Sequence, residues 1–341
     1  SSKYSCVTLR MTRGDCMIPT HGTSSEKVPL ILTANNEWPD LETSGTYLKV
    51  MTGQKLVFSC PNQYNKFQKF PRLYRIDVTC EGGPVFTFQG RSYPISDLLC
   101  ANEFHTTLAT SNTSCGVNSH LISVGYDINT FIQTYQVCLD ISEKIPFFTR
   151  MNVSRTVHKV PSLEWHTYPR FNKTNSEEAY TCKGSESCCY LKSQMVSAAD
   201  FSYKVPQDTT LIEPINAVPT WQPCGGERIS WKQLNDLVRS QANAIGDPRV
   251  TSGTYQLQEE NGIIVPHFLW TVGLNYAKVI IYVNDPSPKP EDLLCPDACA
   301  NGEFPWLQPK DQYTYCCTVE DFYDYFNVPN NILSGTIYTL L

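Results

Sequence analysis

The chain has 341 residues, enough for two or three domains and a sizeable core. Hydrophobic residues make up 41% and charged residues 18%, which excludes a disordered chain, and no apolar run reaches the roughly 20 residues a membrane-spanning helix needs. The net charge of −6 divides unevenly: residues 1–140 carry 11 basic and 11 acidic side chains and residues 141–341 carry 16 and 22, so the second part lacks the basic footprint usual in nucleic-acid binders.

Residues 1–140 read as all-β. The runs TYLKVM, KLVFSC, VFTFQG and LISVGYD are short, and Gly, Pro and Asn turns part them. Seven cysteines fall in this part (Cys6, Cys16, Cys60, Cys80, Cys100, Cys115, Cys138), so it is expected to be a small disulfide-rich, mainly-β module. Arg13-Gly14-Asp15 spells the integrin-binding tripeptide there, a match short enough to arise by chance. Residues 141–341 mix elements. In ISWKQLNDLVRSQANAI the residues Leu234, Leu237, Val238, Ala242 and Ile245 share one face, which predicts an amphipathic helix from about Ser230 to Ala244. HFLWTVGL and AKVIIYVND read as buried strands, and DPSPKPEDLLCPDAC as a proline-rich loop between Asn284 and Cys299. TVEDFYDYF reads as a closing helix, capped by Thr318 with Glu320 and Asp321 in its positive first turn.

Fifteen cysteines, including the adjacent pairs Cys188–Cys189 and Cys316–Cys317, point to disulfides in an oxidising compartment. Zinc needs Cys-x-x-Cys or paired histidines, and neither spacing occurs, so no metal site is expected. Sequons at Asn112, Asn152 and Asn172 agree with secretion, and the start SSKYSC reads as a mature chain whose leader has been removed. A soluble extracellular protein with no membrane partner is expected. The odd cysteine count leaves one thiol free or bonded to another chain, and Cys224 is a candidate, a disulfide being the equal alternative.

INAVPTWQPCGGERISWKQLND, from Ile215 to Asp236, resembles the second core segment of the DNA/RNA non-specific endonucleases, with Asn216, Pro219, Trp221, Gln222, Gly226 and Trp231 in the corresponding places. Upstream, KSQMVSAADFSY (Lys192 to Tyr203) resembles their first core segment, which reads Arg-Gly-His-Leu-Ala-Pro and then Ala-Asp-Phe. VPLILTANNEWPD and TGQKLVFSC, followed by spaced cysteines, are similar to the front module of the insect gut and salivary branch, and the chain resembles in type the nuclease-like Tsal proteins of tsetse saliva. The resemblance implies an α+β fold: a ββα-metal (His-Me finger) core with a mixed or antiparallel sheet flanked by helices, spanning 141–341 behind the 1–140 module.

In that family a hairpin histidine takes a proton from water, a helix asparagine holds Mg²⁺, an arginine neutralises phosphate and a helix glutamate orients the metal's waters. Carried over by residue, the histidine falls on Gln194, the arginine on Lys192, its neighbouring glycine on Ser193, the metal-binding asparagine on Gly225 and the glutamate on Asn235. Glutamine cannot act as a base near neutrality, and Gly225 offers no side-chain oxygen. Losing the base costs about 10²- to 10⁴-fold, and losing the metal removes further transition-state stabilisation. No resident Mg²⁺ and no nuclease activity by the family mechanism are therefore expected. His166 is the histidine to watch as a stand-in; Ser193 has no nucleophile elbow around it. Asp200 and Phe201 read as scaffold. Trp221 and Trp231 read as core packing, with base stacking as the alternative.

The expected function is a secreted nuclease pseudoenzyme that binds DNA or RNA through the former active-site groove, with Arg170, Lys192, Arg228 and Lys232 as candidate contacts. The alternatives are an interaction protein with an extracellular protein partner, and a weak metal-dependent nuclease.

Overall fold

The computed structural model describes residues 14–333 apart from 21–24, 45, 63, 156, 161–163, 169–170, 172–179, 181–187, 223–228, 274–277, 301–313 and 330. Its chain falls into two compact units. The first is Ser1–His105 with Asp127–Thr130 and Ser202–Val205, and the second is Thr106–Tyr126, Phe131–Phe201 and Pro206–Leu341.

In the first unit the strands are β1 (Cys16–Pro19), β2 (Leu30–Leu32), β3 (Glu42–Ser44), β4 (Tyr47–Val50), β5 (Lys55–Ser59), β6 (Arg75–Gly82), β7 (Val85–Phe88) and β8 (Arg91–Pro94). They form a three-stranded sheet β1-β4-β3 and a five-stranded sheet β2-β5-β6-β7-β8. Two disulfides supplement its apolar core: Cys16–Cys80 joins β1 to β6, and Cys60–Cys100 ties the end of β5 to a distant loop.

The second unit is built on one eight-stranded sheet. Strands β9 (Thr107–Gly116), β10 (Ser119–Asp127), β11 (Phe131–Asp140) and β12 (Ile145–Asn152) form one half. The chain then makes short β13 (His166–Thr167), β14 (Cys189–Gln194), the helical turn α1 (Lys204–Asp208), short β15 (Ile212–Glu213), β16 (Ala217–Gln222) and helix α2 (Trp231–Ile245). The sheet resumes with β17 (Arg249–Glu260), β18 (Ile263–Gly273), β19 (Lys278–Val283) and β20 (Thr314–Thr318), and helix α3 (Val319–Tyr325) follows. The sheet order is β20-β19-β18-β17-β12-β11-β10-β9, so the segment carrying β14, β16 and α2 is inserted between two neighbouring strands.

Alternation along these strands buries both faces of the sheet. Tyr135, Val137, Leu139, Leu269, Ile280 and Tyr282 point to one face and pack with Trp231, Leu234, Val238 and Ala242 of α2. Phe148, Phe268, Trp270, Ile281 and Tyr315 point to the other and pack with Phe322 of α3. Gly253 lies opposite Trp270 in the ladder, where a Cβ would come within 2.2 Å of the indole; only glycine lets that ring cross β17.

The units do not divide near residue 140. Strands β9 to β11 belong to the large sheet, and Cys115–Cys138 is a disulfide of the second unit. The run of spaced cysteines is continuous across that division, so cysteine spacing could not locate it. The helix predicted from about Ser230 to Ala244 is α2, started by a Ser230–Gln233 capping box and ended by Gly246 in the left-handed region. Thr318 caps α3 as expected, its hydroxyl accepting from the Asp321 amide.

Candidate functional site

Strands β14 and β16 pair antiparallel, with Lys192 opposite Pro219, Ser193 opposite Val218 and Gln194 opposite Ala217. This hairpin and the α2 helix that follows it lay their apolar sides on one face of the sheet. Beside them opens a cleft of about 330 Å³, lined by Val160, Trp165, Lys192, Ser193, Gln194, Ser197, Leu211, Trp231, Lys232, Asn235 and Asp236. Four of the carried-over positions thus meet in one place. Gly225, Arg170 and Arg228 lie outside the described residues, as do Cys224 and Asn172.

Gln194 spends its amide on the protein. Its Nε2 donates to the Thr210 hydroxyl at 2.9 Å and the Thr210 carbonyl at 3.2 Å, while Oε1 accepts from the Ala198 amide at 3.1 Å. The side chain cross-links the strand to the turns that follow, leaving no basic lone pair aimed into the cleft. Ser193 shares a hydrogen bond with Thr220.

Lys192 is nearly enclosed, with its side chain 7% exposed and its ammonium paired with Glu213, itself 8% exposed. The rings of Tyr180 and Trp165 lie 5.2 and 5.9 Å from Nζ, within cation–π range. The candidate phosphate contact is therefore largely neutralised where it stands. Lys232 is 77% exposed and pairs with Asp236 at 3.1 Å, a surface pair of little energy that leaves the charge available to solvent.

Behind the cleft, the Asp200 carboxylate receives both Nε (2.6 Å) and Nη2 (2.9 Å) of Arg239, and the Ser154 amide at 3.0 Å. Burial pushes the Asp200 carboxyl above its ordinary value, against the pull of the guanidinium and the amide. Asn216, fully buried, bonds Val196 through both its carbonyl oxygen and its amide and also donates to the Thr210 carbonyl. The scaffold role read for Asp200 rests on Arg239, which the sequence reading missed. Arg239 stands on the buried side of α2, in line with Asn235 and Trp231 at helical spacing. Glu213 was missed too, although an acid inside the apolar run LIEPINAV is a signal of a buried, paired charge.

His166 is exposed on β13 and is absent from the cleft lining. His158 is the buried histidine of this region, 4% exposed, with Nε2 3.0 Å from the Ser154 hydroxyl. Trp231 is 1% exposed and meets Tyr282 edge-on, as core packing requires. Asn112 and Asn152 are exposed. In the first unit Asp15 pairs with Lys49 at 3.4 Å and accepts from the Thr52 amide, while Arg13 lies outside the described residues.

A divalent cation does not fit the described lining. Asp236 is engaged by Lys232 and Arg239 and Gln194 Oε1 by Ala198, which leaves the Asn235 side chain as the uncommitted oxygen donor of the described lining. Mg²⁺ ordinarily takes one or two carboxylates. The other close donor group, Asp297, Cys299 and Cys316, contains a disulfide and offers no thiolate.

A β-hairpin followed by a helix, with the cleft between them, is the architecture of a ββα nuclease core. The family model for DNA/RNA non-specific endonucleases matches residues 117–322, and the chain belongs to that family. Among solved structures, a chain of the EndoG/EndoGI complex, a crystal structure addressing the mechanism of EndoG inhibition, aligns with 47% of this chain and 79% of its own, at 15% identity and a TM-score of 0.34. No curated protein matches the chain. No helix among the described residues is long and apolar enough to cross a membrane.

Proposed function

We propose that this is a secreted, disulfide-stabilised member of the non-specific endonuclease family that binds nucleic acid without hydrolysing it. One observation carries the reading: the side chain at the general-base position, Gln194, is a non-titrating amide whose donor and acceptor are both engaged by Thr210 and Ala198. A non-titrating amide at the base position and a described lining whose one carboxylate is already paired both weigh against hydrolysis. Family membership supports nucleic acid as ligand, and the 330 Å³ cleft, with Trp165 and the exposed Lys232, supports a retained binding place. Five disulfides between described cysteines, with Cys188 and Cys189 also bonded, support secretion.

The test is incubation of the purified chain with DNA and RNA in Mg²⁺ and in Mn²⁺, alongside an electrophoretic shift assay. The expected outcome is a salt-sensitive shift and no cleavage above buffer. Cleavage that disappears in Asn235→Ala, the variant lacking the one uncommitted amide in the lining, would overturn the proposal. An extracellular protein partner is the second reading, favoured by the buried pairing of Lys192 with Glu213, which lowers the cleft's attraction for phosphate. A protein that shifts neither nucleic acid at low salt but retains a plasma or haemolymph protein supports that reading instead.

A further inference from the structure

We propose that the loop from Cys60 to Tyr74 in the first unit is a nucleic-acid-binding surface, taking phosphates of a single strand on Lys66 and Arg72 and a base on Tyr64. The segment YNKFQKFPRLYR has a cation at every third residue (Lys66, Lys69, Arg72, Arg75), aromatic side chains between them and no acid. Cations that track a backbone, interleaved with rings that stack on bases, are what sequence-tolerant binding of single strands requires.

Backbone hydrogen bonds and a disulfide close the loop and tie it down. Its ends are closed by the Cys60 amide donating to the Tyr74 carbonyl at 2.8 Å, and Phe67 donates to Leu73 at 3.0 Å inside it. Gln68 and Ala101 tie it by backbone bonds to the segment around Cys100, which the Cys60–Cys100 disulfide also holds. Phe67 is fully buried, and the Asn65 amide bonds Asn102 in both directions. A closed loop pinned by buried side chains presents its outward ones with little ordering entropy left to lose on binding.

Those outward side chains divide by what they already do. Lys69 is paired with Asp97, and Arg75 donates to Asn36. Arg72 is exposed, Lys66 lies 4.8 Å from the centre of the Tyr74 ring, and among the described residues neither makes an ion pair. Tyr64 is 85% exposed, a large ring held out on an anchored loop. Beside it a recess of about 190 Å³ is lined by Asn62, Lys66, Tyr74, Asp127, Ile128 and Asn129. The Asp127 carboxylate and the two asparagines suit the amino and carbonyl edge of a base and disfavour a second phosphate. A sulfated glycan would supply anions with nothing to stack on Tyr64.

The inference shares with the proposed function only its ligand class, and the variants separate the two. Binding of the full-length chain to a fluorescent oligothymidylate is measured by anisotropy at about 50 and 200 mM salt, with heparin as the competing polyanion. Lys66→Gln with Arg72→Gln is expected to weaken binding about tenfold or more and to flatten the dependence of log affinity on log salt by about 1.4, two released counterions' worth. Tyr64→Ala is expected to weaken oligonucleotide binding about fivefold or more and heparin binding not at all. Both sites are on the surface, and an unchanged thermal midpoint checks that the fold survives. Unaltered affinity in both variants, with loss in the cleft variant Trp165→Ala, overturns the inference and leaves the cleft reading standing. Equal loss of heparin and oligonucleotide with no effect of Tyr64→Ala also overturns it, reducing the loop to a polyanion patch. No oligonucleotide binding by the unaltered chain overturns both readings.

Discussion

At position 194 an amide stands where the family places an imidazole, and the exchange redirects the side chain from water to the protein. Three hydrogen bonds leave Gln194, two to Thr210 and one from Ala198. Gln194→Ala takes the acceptor from the buried Ala198 amide and a donor from the Thr210 hydroxyl, while the Thr210 carbonyl keeps Asn216, and is expected to lower stability by about 1–3 kcal/mol in urea unfolding. Sequence alone made the substitution legible but not its consequence. Thr210 lies 16 residues further on, and only the folded hairpin connection brings it to the amide. The same limit applies to Lys192, whose charge was plain and whose partner Glu213 was not. It applies again to the histidines: His166 stood out by proximity in sequence, while burial selected His158.

At the scale of elements, α2 is the most legible feature, because its cap, its apolar face and its terminating Gly246 are all local. What holds it to the hairpin is non-local. The bidentate Asp200–Arg239 pair, with side chains 2% and 3% exposed, joins the turn after β14 to the middle of the helix. Removing one member of such a pair strands the other in a medium that cannot solvate it. Arg239→Ala is expected to cost about 3–5 kcal/mol of unfolding free energy. Asp200→Asn with Arg239→Ala is expected to cost less than the two single changes together, a coupling that a double-mutant cycle by chemical denaturation measures. Strand existence was legible from alternation and turn residues. Strand order was not, since β12 and β17 are neighbours across an insertion of nearly 100 residues.

For the whole molecule, buried hydroxyls set the alkaline limit. Burial raises the Tyr135 and Tyr203 hydroxyls well above their ordinary value, and burial likewise raises Tyr315. A group raised in the folded state stabilises fully below its unfolded value, about 10 for tyrosine, and that contribution falls as pH climbs beyond it because only the unfolded chain releases the proton. The thermal midpoint is therefore expected to drop above about pH 10. Tyrosinate absorbance should show a fraction of the rings ionising only as the chain unfolds; free titration of every tyrosine below the transition contradicts this.

Cys316 and Cys317, adjacent on the edge strand β20, face opposite sides of the sheet, and each bonds a different cysteine of one short segment, Cys299 and Cys295. Exchanging these partners would require β20 to slip by one residue against β19 and turn each of its side chains to the wrong side. Covalent pairing and strand register are thus a single choice. A chain bonded Cys316–Cys295 and Cys317–Cys299 would have to hold β20 out of register with β19, so the native sheet and the native pairing stand or fall together.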